Sequence, residues 1–532
     1  MVSMKRGWLW AATLGVATVA GACTSVLDFT ECYTDDDCAT FFEDNKPMRC
    51  DVDNNRCAPR TEGCDQNSEC EPLGESYICG FSHRCFDHTV GEELCDAPVY
   101  PEGADDNDGV VFVGSMINRA GDGAAIENGI RLAIEEFNAN ASLASESHPK
   151  IAWFACDTQG DAARAREIAE FLAGSADSEN AVGVAAMIGP FDNNEFTEVV
   201  EEVSLAGNIN AFTISPTSLI EEFSVMDKGN VVWRGGPGAT RYANAMLARL
   251  NDATPLRMLT ILSNDPTRWA LFQAMAVKKD VGGQERWWID IDDIDGEMGA
   301  QGITSYNGVD NISDAVMGAV GADLGGDPQV LLILGGAESG QVLEEYYTQA
   351  GTLPELVVVP HWGLSGMNEA LTRINDAAAI DALEIISPEM PNADVSAQFD
   401  ERFQSRFSAA PLADAYQAYD ATLITLFSMA GVADGSILGP KISTITRGLL
   451  NGDTPTVSAA DPATYDDGGK TLANGNAVEL IGAAYPIEID AARKEVCTDF
   501  IALGASGSPS DPAIEPKARY QVNCPNEVAG TW

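Results

Sequence analysis

Cysteines dominate the residues of this chain that could do chemistry. There are 13 of them, against only 4 histidines, in 532 residues. Most crowd into the first hundred positions, too clustered for a reduced cytosolic chain. Their chemistry is therefore cross-linking in an oxidising compartment. Cys32, Cys38, Cys50 and Cys57 stand with gaps of 5, 11 and 6 residues, and Cys64, Cys70, Cys79 and Cys85 with gaps of 5, 8 and 5. This is an internal repeat of two four-cysteine units. Each unit is too small to bury a core, so disulfides must close it. Four cysteines allow three pairings, and spacing does not choose among them. The cysteines the two repeats leave over are expected to pair as Cys95 with Cys156 and Cys497 with Cys524.

Reactive constellations are thin. Two of the four histidines fall in the cysteine-rich stretch, which leaves little general-base chemistry. Gly121-Asp122-Gly123 lacks the third glycine of a dinucleotide loop. Ser365, in Gly363-Leu364-Ser365-Gly366, lacks the spacing of a nucleophile elbow. Two acidic runs echo calcium loops. In the run from Asp51 to Glu62, Arg56 stands where the sharp turn needs glycine, and in Asp290 to Gly296 the glycine is out of register. These features exclude an enzyme and assign no cofactor and no metal. The formal net charge is −50, from 81 acidic and 31 basic residues. Such a chain makes no nucleic-acid partner, because counterion release needs clustered Lys and Arg. The acidity reads as a solubilising surface.

The elements that position the rest begin at Val110. Val110 to Val113 is an apolar β-branched run suited to a buried strand. A polar loop with two glycines follows, and Asp122 can cap the next helix. Ile126, Ile130, Ile134 and Phe137 then make one apolar helical stripe. Lys150 to Cys156, Val182 to Ile188 and Asn210 to Ile214 are further strands, with helices between them. The same alternation recurs after Arg234-Gly235-Gly236-Pro237-Gly238, with strands at Arg257 to Leu262, Gln329 to Leu334 and Leu356 to Val359. Alternation of this kind predicts an α/β protein with parallel sheets covered by helices on both faces. Two lobes are expected, 110–237 with 386–477 and 238–385 with 478–532. The stretch from about Val478 is expected to close the second lobe as antiparallel strands.

Residues 1–22 read as an export signal. Lys5 and Arg6 precede an apolar run from Trp8 to Ala20, too short to span a bilayer. Ala20-Gly21-Ala22-Cys23 resembles a lipoprotein cleavage box, which implies acylation of Cys23 and a membrane contact through lipid only. Residues 23–100 form a cysteine-rich module, best read as a spacer, and 101–109 a polar linker.

From residue 109 to about 510 the chain resembles type I periplasmic solute-binding proteins, above all the branched-chain amino-acid binders of ABC transporters. The resemblance rests on Gly114 to Asn138, Asp157-Thr158-Gln159-Gly160-Asp161, Ile188-Gly189-Pro190, Ile214-Ser215-Pro216, Trp233-Arg234 and Ala418-Tyr419-Asp420-Ala421, in the family's order. It implies a hinged cleft holding a small polar, amino-acid-like solute, an ABC permease as partner, and a place in the cell envelope. The other use of such a fold is as a surface receptor or docking protein.

By the same resemblance, a ligand carboxylate would meet two first-lobe loops, Phe191 to Asn194 and Ser215 to Leu219. Asn193, Asn194, Ser215, Thr217 and Ser218 are then the contacts, and Leu219 stands where relatives often offer a threonine. Asp122 stands where an aromatic commonly covers the ligand. Trp269 falls at an aromatic lid position, and His361 near the acidic residue that receives the ammonium group. Helix capping is an equal expectation for Asn193, and packing after a buried strand for His361. Asp122 or Glu338 could replace the missing acid, and Arg119 or Arg234 could offset Asp122 and Asp192. The ligand is therefore not bound to be a simple branched-chain amino acid.

Overall fold

The computed structural model describes most of residues 64–522, together with Cys524 and the backbone of three short strands between 42 and 59. The longer stretches it leaves undescribed inside that range are 80–84, 102–109, 144–149, 174–180, 202–210, 253–256, 281–284 and 288–300. Cys23, Cys32, Cys38, the export signal and the Asp290 run lie outside the described residues, as does most of the Asp51 loop.

Two large sheets form among the described residues, of nine and seven strands. The first begins with β1 (Val110–Ile117), β2 (Lys150–Asp157), β3 (Ala186–Ile188), β4 (Phe212–Ser215) and β5 (Val232–Arg234). The second contains β6 (Met258–Ser263), β7 (Gln301–Tyr306), β8 (Val330–Leu334), β9 (Leu356–Pro360) and β10 (Leu383–Pro388), all parallel. The chain then returns to the first sheet through β11 (Thr456–Ser458), β12 (Glu479–Ile481), β13 (Pro486–Asp490) and β14 (Glu495–Cys497). It ends in the second sheet with the antiparallel pair β15 (Phe500–Ser508) and β16 (Asp511–Tyr520). The orders are β11-β12-β13-β14-β5-β4-β3-β1-β2 and β7-β6-β8-β9-β10-β15-β16. Strands in the middle of such sheets are covered on both faces, which is why β8 is apolar and buried at every position.

The lobe boundary at Val478 is corrected. Residues 479–497 stay in the first sheet, where β14 runs parallel to β5 through Arg234 and Glu495, and only 500–520 close the second. Alternation showed strands there but not which edge they join. The chain thus passes between lobes three times, after β5, after β10 and between β14 and β15.

The helix Gly123–Asn140 follows β1 and buries Ile126, Ile130, Ile134 and Phe137, the expected stripe. It lies against the helix Ala413–Ala430, which is buried along nearly its whole length. Gly129 makes that approach possible, since a Cβ there would stand 2.3 Å from the Ala415 carbonyl oxygen. Asp122 stands at the N-cap position but makes no capping bond and is exposed.

The second cysteine repeat pairs Cys64 with Cys79 and Cys70 with Cys85, and the expected pairs Cys95–Cys156 and Cys497–Cys524 are both bonded. This repeat is less separate than its composition suggests. Ile78 and Phe86 join Phe154 and Phe171 in one core, and Val99 bridges Trp153 on β2. β2 is the last strand of the first sheet. The segment just after the repeat, Leu94 to Val99, therefore covers an edge that would otherwise offer unpaired backbone groups.

Candidate functional site

In open parallel sheets the strand C-termini and the loops after them make the ligand face. Here two such faces, one per lobe, meet near the crossovers. The short helix Asn193–Glu198 of the first lobe touches the helix Pro266–Met275 of the second.

The first-lobe loops are held together by the residues expected to hold a ligand. Asn193 is fully buried, and its Oδ1 accepts from the Leu219 amide at 3.2 Å, while its Nδ2 is buried without a partner. Capping falls to Asp192, whose carboxylate accepts from the Asn194 and Glu195 amides. Asn194 is exposed. Ser215 donates to the Pro190 carbonyl at 2.6 Å and accepts from the Ser218 amide. Thr217 donates to the Phe191 carbonyl at 2.6 Å. Ser218 is buried, and its hydroxyl accepts from the Ile220 amide at 3.3 Å. These hydroxyls stitch one loop to the other, and the Leu219 amide is taken by Asn193. The Nδ2 of Asn193 is left as a buried donor without a partner.

Beneath these loops Glu195 is buried, and the Thr158 hydroxyl donates to it at 3.0 Å. Burial pushes its carboxyl up to about 7, with Asp192, Asp157 and Asp161 adding to the shift against the Thr158 bond.

On the second lobe, Trp269 donates to Asn264 at 3.2 Å and packs edge-on to Phe272. The ring lying against a cation is Trp362, with the Arg268 guanidinium carbon 5.1 Å from its centroid. The helix bearing Arg268 is capped by Asp265, which also accepts twice from Arg268 Nη1 at 3.1 Å. Arg268 Nε is buried without a partner, and Nη2 makes no hydrogen bond among the described residues. Glu338 is occupied, accepting from the Tyr306 hydroxyl at 2.6 Å and the Gly336 amide at 3.0 Å. Burial works to raise its carboxyl, but those donors and Arg268 together hold it below the ordinary glutamate value.

His361 follows β9, and its Nδ1 lies 2.7 Å from the Tyr242 hydroxyl. That hydroxyl also accepts from the His361 amide at 3.0 Å and donates to the Ile386 carbonyl. A phenol has one proton to give. With it on Ile386, His361 Nδ1 must carry hydrogen, which leaves Nε2 as an acceptor, buried and unpartnered. Burial, with Arg268 nearby, drives the imidazole down to about 3, so it is neutral.

On the first lobe, Asp414 stands in the first turn of the helix Ala413–Ala430 and is half-buried. Burial raises its carboxyl, Arg268 works against that, and Asp122 adds to it. Neither Arg119 nor Arg234 offsets Asp122. Arg119 pairs with Asp96 and Glu127, and Arg234 with Glu495. Arg268, Asp414 and Tyr242 were not foreseen. Their one sequence signal is position: Arg268 adjoins Trp269, and Asp414 opens the helix carrying Ala418-Tyr419-Asp420-Ala421.

No protein-family model matches the sequence, and no curated protein matches it. Solved structures do match in fold. A leucine-binding protein from Thermotoga maritima is 16% identical, with 77% of this chain and 98% of that one covered at a TM-score of 0.50. The branched-chain amino-acid transporter substrate-binding protein of Streptococcus pneumoniae, in complex with isoleucine, is 14% identical over 77% and 99%, with a TM-score of 0.51. A solute-binding protein of an ABC transporter from Rhodopseudomonas palustris, in complex with 3,4-dihydroxybenzoic acid, is 12% identical over 78% and 99%, with a TM-score of 0.53. The chain has the two-lobe α/β fold of these type I periplasmic binding proteins, and each of the three is described as a binding protein.

Proposed function

We propose that this chain is an extracytoplasmic solute-binding lipoprotein that captures a small polar, amino-acid-like molecule between its lobes and delivers it to an ABC permease. The observation that carries the reading is the pair of parallel sheets linked by three crossovers, with their loop faces meeting. Ligands bind where two domains face one another, and closure is driven by the ligand's preference for the closed form. The side chains at the meeting place are donors, acceptors and charges, which suits selective binding of a polar solute. The relatives in fold that carry isoleucine and 3,4-dihydroxybenzoic acid support a ligand of that size and an acidic group on it. The contacts proposed at the site are Asn193 and Ser218 from the first lobe and Arg268, Trp362 and His361 from the second.

Anchoring through Cys23 rests on the apolar run and the Ala20-Gly21-Ala22-Cys23 box. Among the described residues no helix is long and apolar enough to cross a membrane. The two parts are tested separately. A thermal-shift screen of the full chain should find a solute that stabilises it, by about 2.7 kcal/mol at 100 times its dissociation constant. No shift with any amino acid, organic acid, amide or polyamine, beside tight binding of an envelope protein, replaces transport by the docking reading. Cys23→Ser should release the protein from membranes, and retention counts against acylation.

A further inference from the structure

A cavity of about 660 Å³ opens at the edge of the first lobe. Its walls come from separate stretches of chain. Tyr100 and Pro101 follow the cysteine repeat, Trp153 stands on β2, and the helix Gly123–Asn140 contributes residues from Arg131 to Ala139. Arg406, near the end of the helix Ala393–Phe407, completes the lining. The helix Gly123–Asn140 begins at the ligand face, just after β1. At about 1.5 Å per residue, its lining residues stand roughly 12–24 Å further along. The cavity is therefore set back from the place where the lobes meet.

The lining is largely apolar, and its charge is positive. Ile134 and Trp153 are buried, and the Trp153 indole is fixed by its bond to Ser115 Oγ at 3.0 Å. Tyr100 packs edge-on to Phe112, and its hydroxyl makes no hydrogen bond among the described residues. Two guanidiniums share one carboxylate here. Arg131 Nε donates to Glu135 at 2.9 Å, and Arg406 donates to the same group from Nε and Nη2 at 2.7 and 2.9 Å. Two cations on one anion leave a positive charge over, in a chain whose net charge is −50. Neither Nη atom of Arg131 makes a hydrogen bond among the described residues.

We propose that this cavity is a second binding site, which takes a small carboxylic acid with an apolar chain or ring. The site goes beyond the solute-binding reading and does not depend on what enters between the lobes. Its size falls within the range of about 300–1,000 Å³ typical of small-molecule sites, and apolar walls with a few polar groups suit one. The apolar body buries against Trp153, Ile134 and Pro101. The carboxylate accepts from the Nη pair of Arg131, whose two N–H groups in one plane match two carboxylate oxygens. The Tyr100 hydroxyl offers one more donor. An amine with the same body meets the surplus positive charge as a like charge.

The test is calorimetric titration of the full chain with octanoate and with 2-naphthoate, each beside the amine of the same body. At least one acid should bind, roughly 10-fold or more tightly than its amine. Arg131→Gln should weaken that acid by about 10-fold without weakening the amine. Ala139 is exposed and lines the cavity, so Ala139→Phe should obstruct it and weaken the acid too. Arg268→Ala, at the meeting of the lobes, should leave the acid's affinity unchanged. An exposed helical ion pair adds little to stability, so Arg131→Gln should keep the ligand-free melting temperature, which separates lost binding from lost fold. The site is overturned if neither acid binds, or if an amine matches its acid. It is equally overturned if the acid binds native and Arg131→Gln protein alike, or is lost in Arg268→Ala instead. Each of these leaves the solute-binding reading standing. If these acids bind at the cavity while no solute enters between the lobes, the second site stands and the transport reading fails.

Discussion

Arg241 donates from Nε to Glu495 Oε1 across 2.6 Å, and neither side chain is exposed to solvent. Glu495 lies on β14, in the first sheet, and Arg241 on the helix Ala239–Asp252, whose apolar face belongs to the second lobe's core. The same carboxylate takes Arg234 Nη2 at 2.6 Å and the Gly238 amide at 3.0 Å, and Arg241 also reaches Asp490. One buried network therefore ties the first crossover to the strand that leads into the third.

Removing one member leaves the others charged and enclosed. Glu495→Gln should destabilise the protein by about 3–5 kcal/mol. Denaturant unfolding followed by tryptophan fluorescence measures it. A loss below about 1 kcal/mol would show that water reaches the network.

Glu195 makes a prediction about pH. Its folded value, about 7, lies above the ordinary 4.5, so the native state holds the proton more tightly than the unfolded chain does. That contribution is complete below pH 4.5, falls as pH rises to about 7, and is flat above. The loss is on the order of 3 kcal/mol. Glu195→Gln keeps an acceptor for Thr158 and removes the titration, so it should be the more stable protein at pH 8. Melting temperatures of both proteins across pH 4.5–8 check this, the difference between them isolating Glu195 from Asp420, which burial likewise raises to about 7.

The tautomer of His361 is open to direct observation. Its ring should carry hydrogen on Nδ1 and stay neutral from pH 5 to 8. Nitrogen-15 correlation spectra of histidine-labelled protein read the protonated nitrogen. In Tyr242→Phe the acceptor at Nδ1 is gone, and signal from the Nε2–H form should appear. A native protein already in that form would refute the hydrogen-bond assignment.

Cys95 and Cys156 close a loop of 61 residues that includes β1 and the helix Gly123–Asn140. Loop-closure entropy for that length is about 4 kcal/mol. The double variant Cys95→Ala, Cys156→Ala should lose stability of that order in denaturant melts. A loss near zero would mean that the packing of Ile78 and Phe86 on Phe154 and Phe171 holds the module alone.

Period and punctuation in the chain determined the two α/β lobes, because a buried parallel strand must be apolar throughout and its helix must carry a stripe, as β8 and the helix Gly123–Asn140 do. Counting picked out Cys95, Cys156, Cys497 and Cys524 as what the repeats left over, and the fold pairs them as expected, Cys95 with Cys156 and Cys497 with Cys524. Only the tertiary structure decided which sheet takes residues 479–497, because short strands of this pattern look alike in sequence whichever lobe they join. It also decided the roles at the meeting of the lobes. Ser215 and Thr217 have hydroxyls suited to a ligand, yet carbonyls 25 and 26 residues earlier in the chain take them. Arg268 is an ordinary charged residue in an acidic chain until folding lays it against Trp362 and buries its Nε without a partner. Hydrogen-bond partners far apart in sequence are a property of three-dimensional proximity, and no local pattern of residues encodes them.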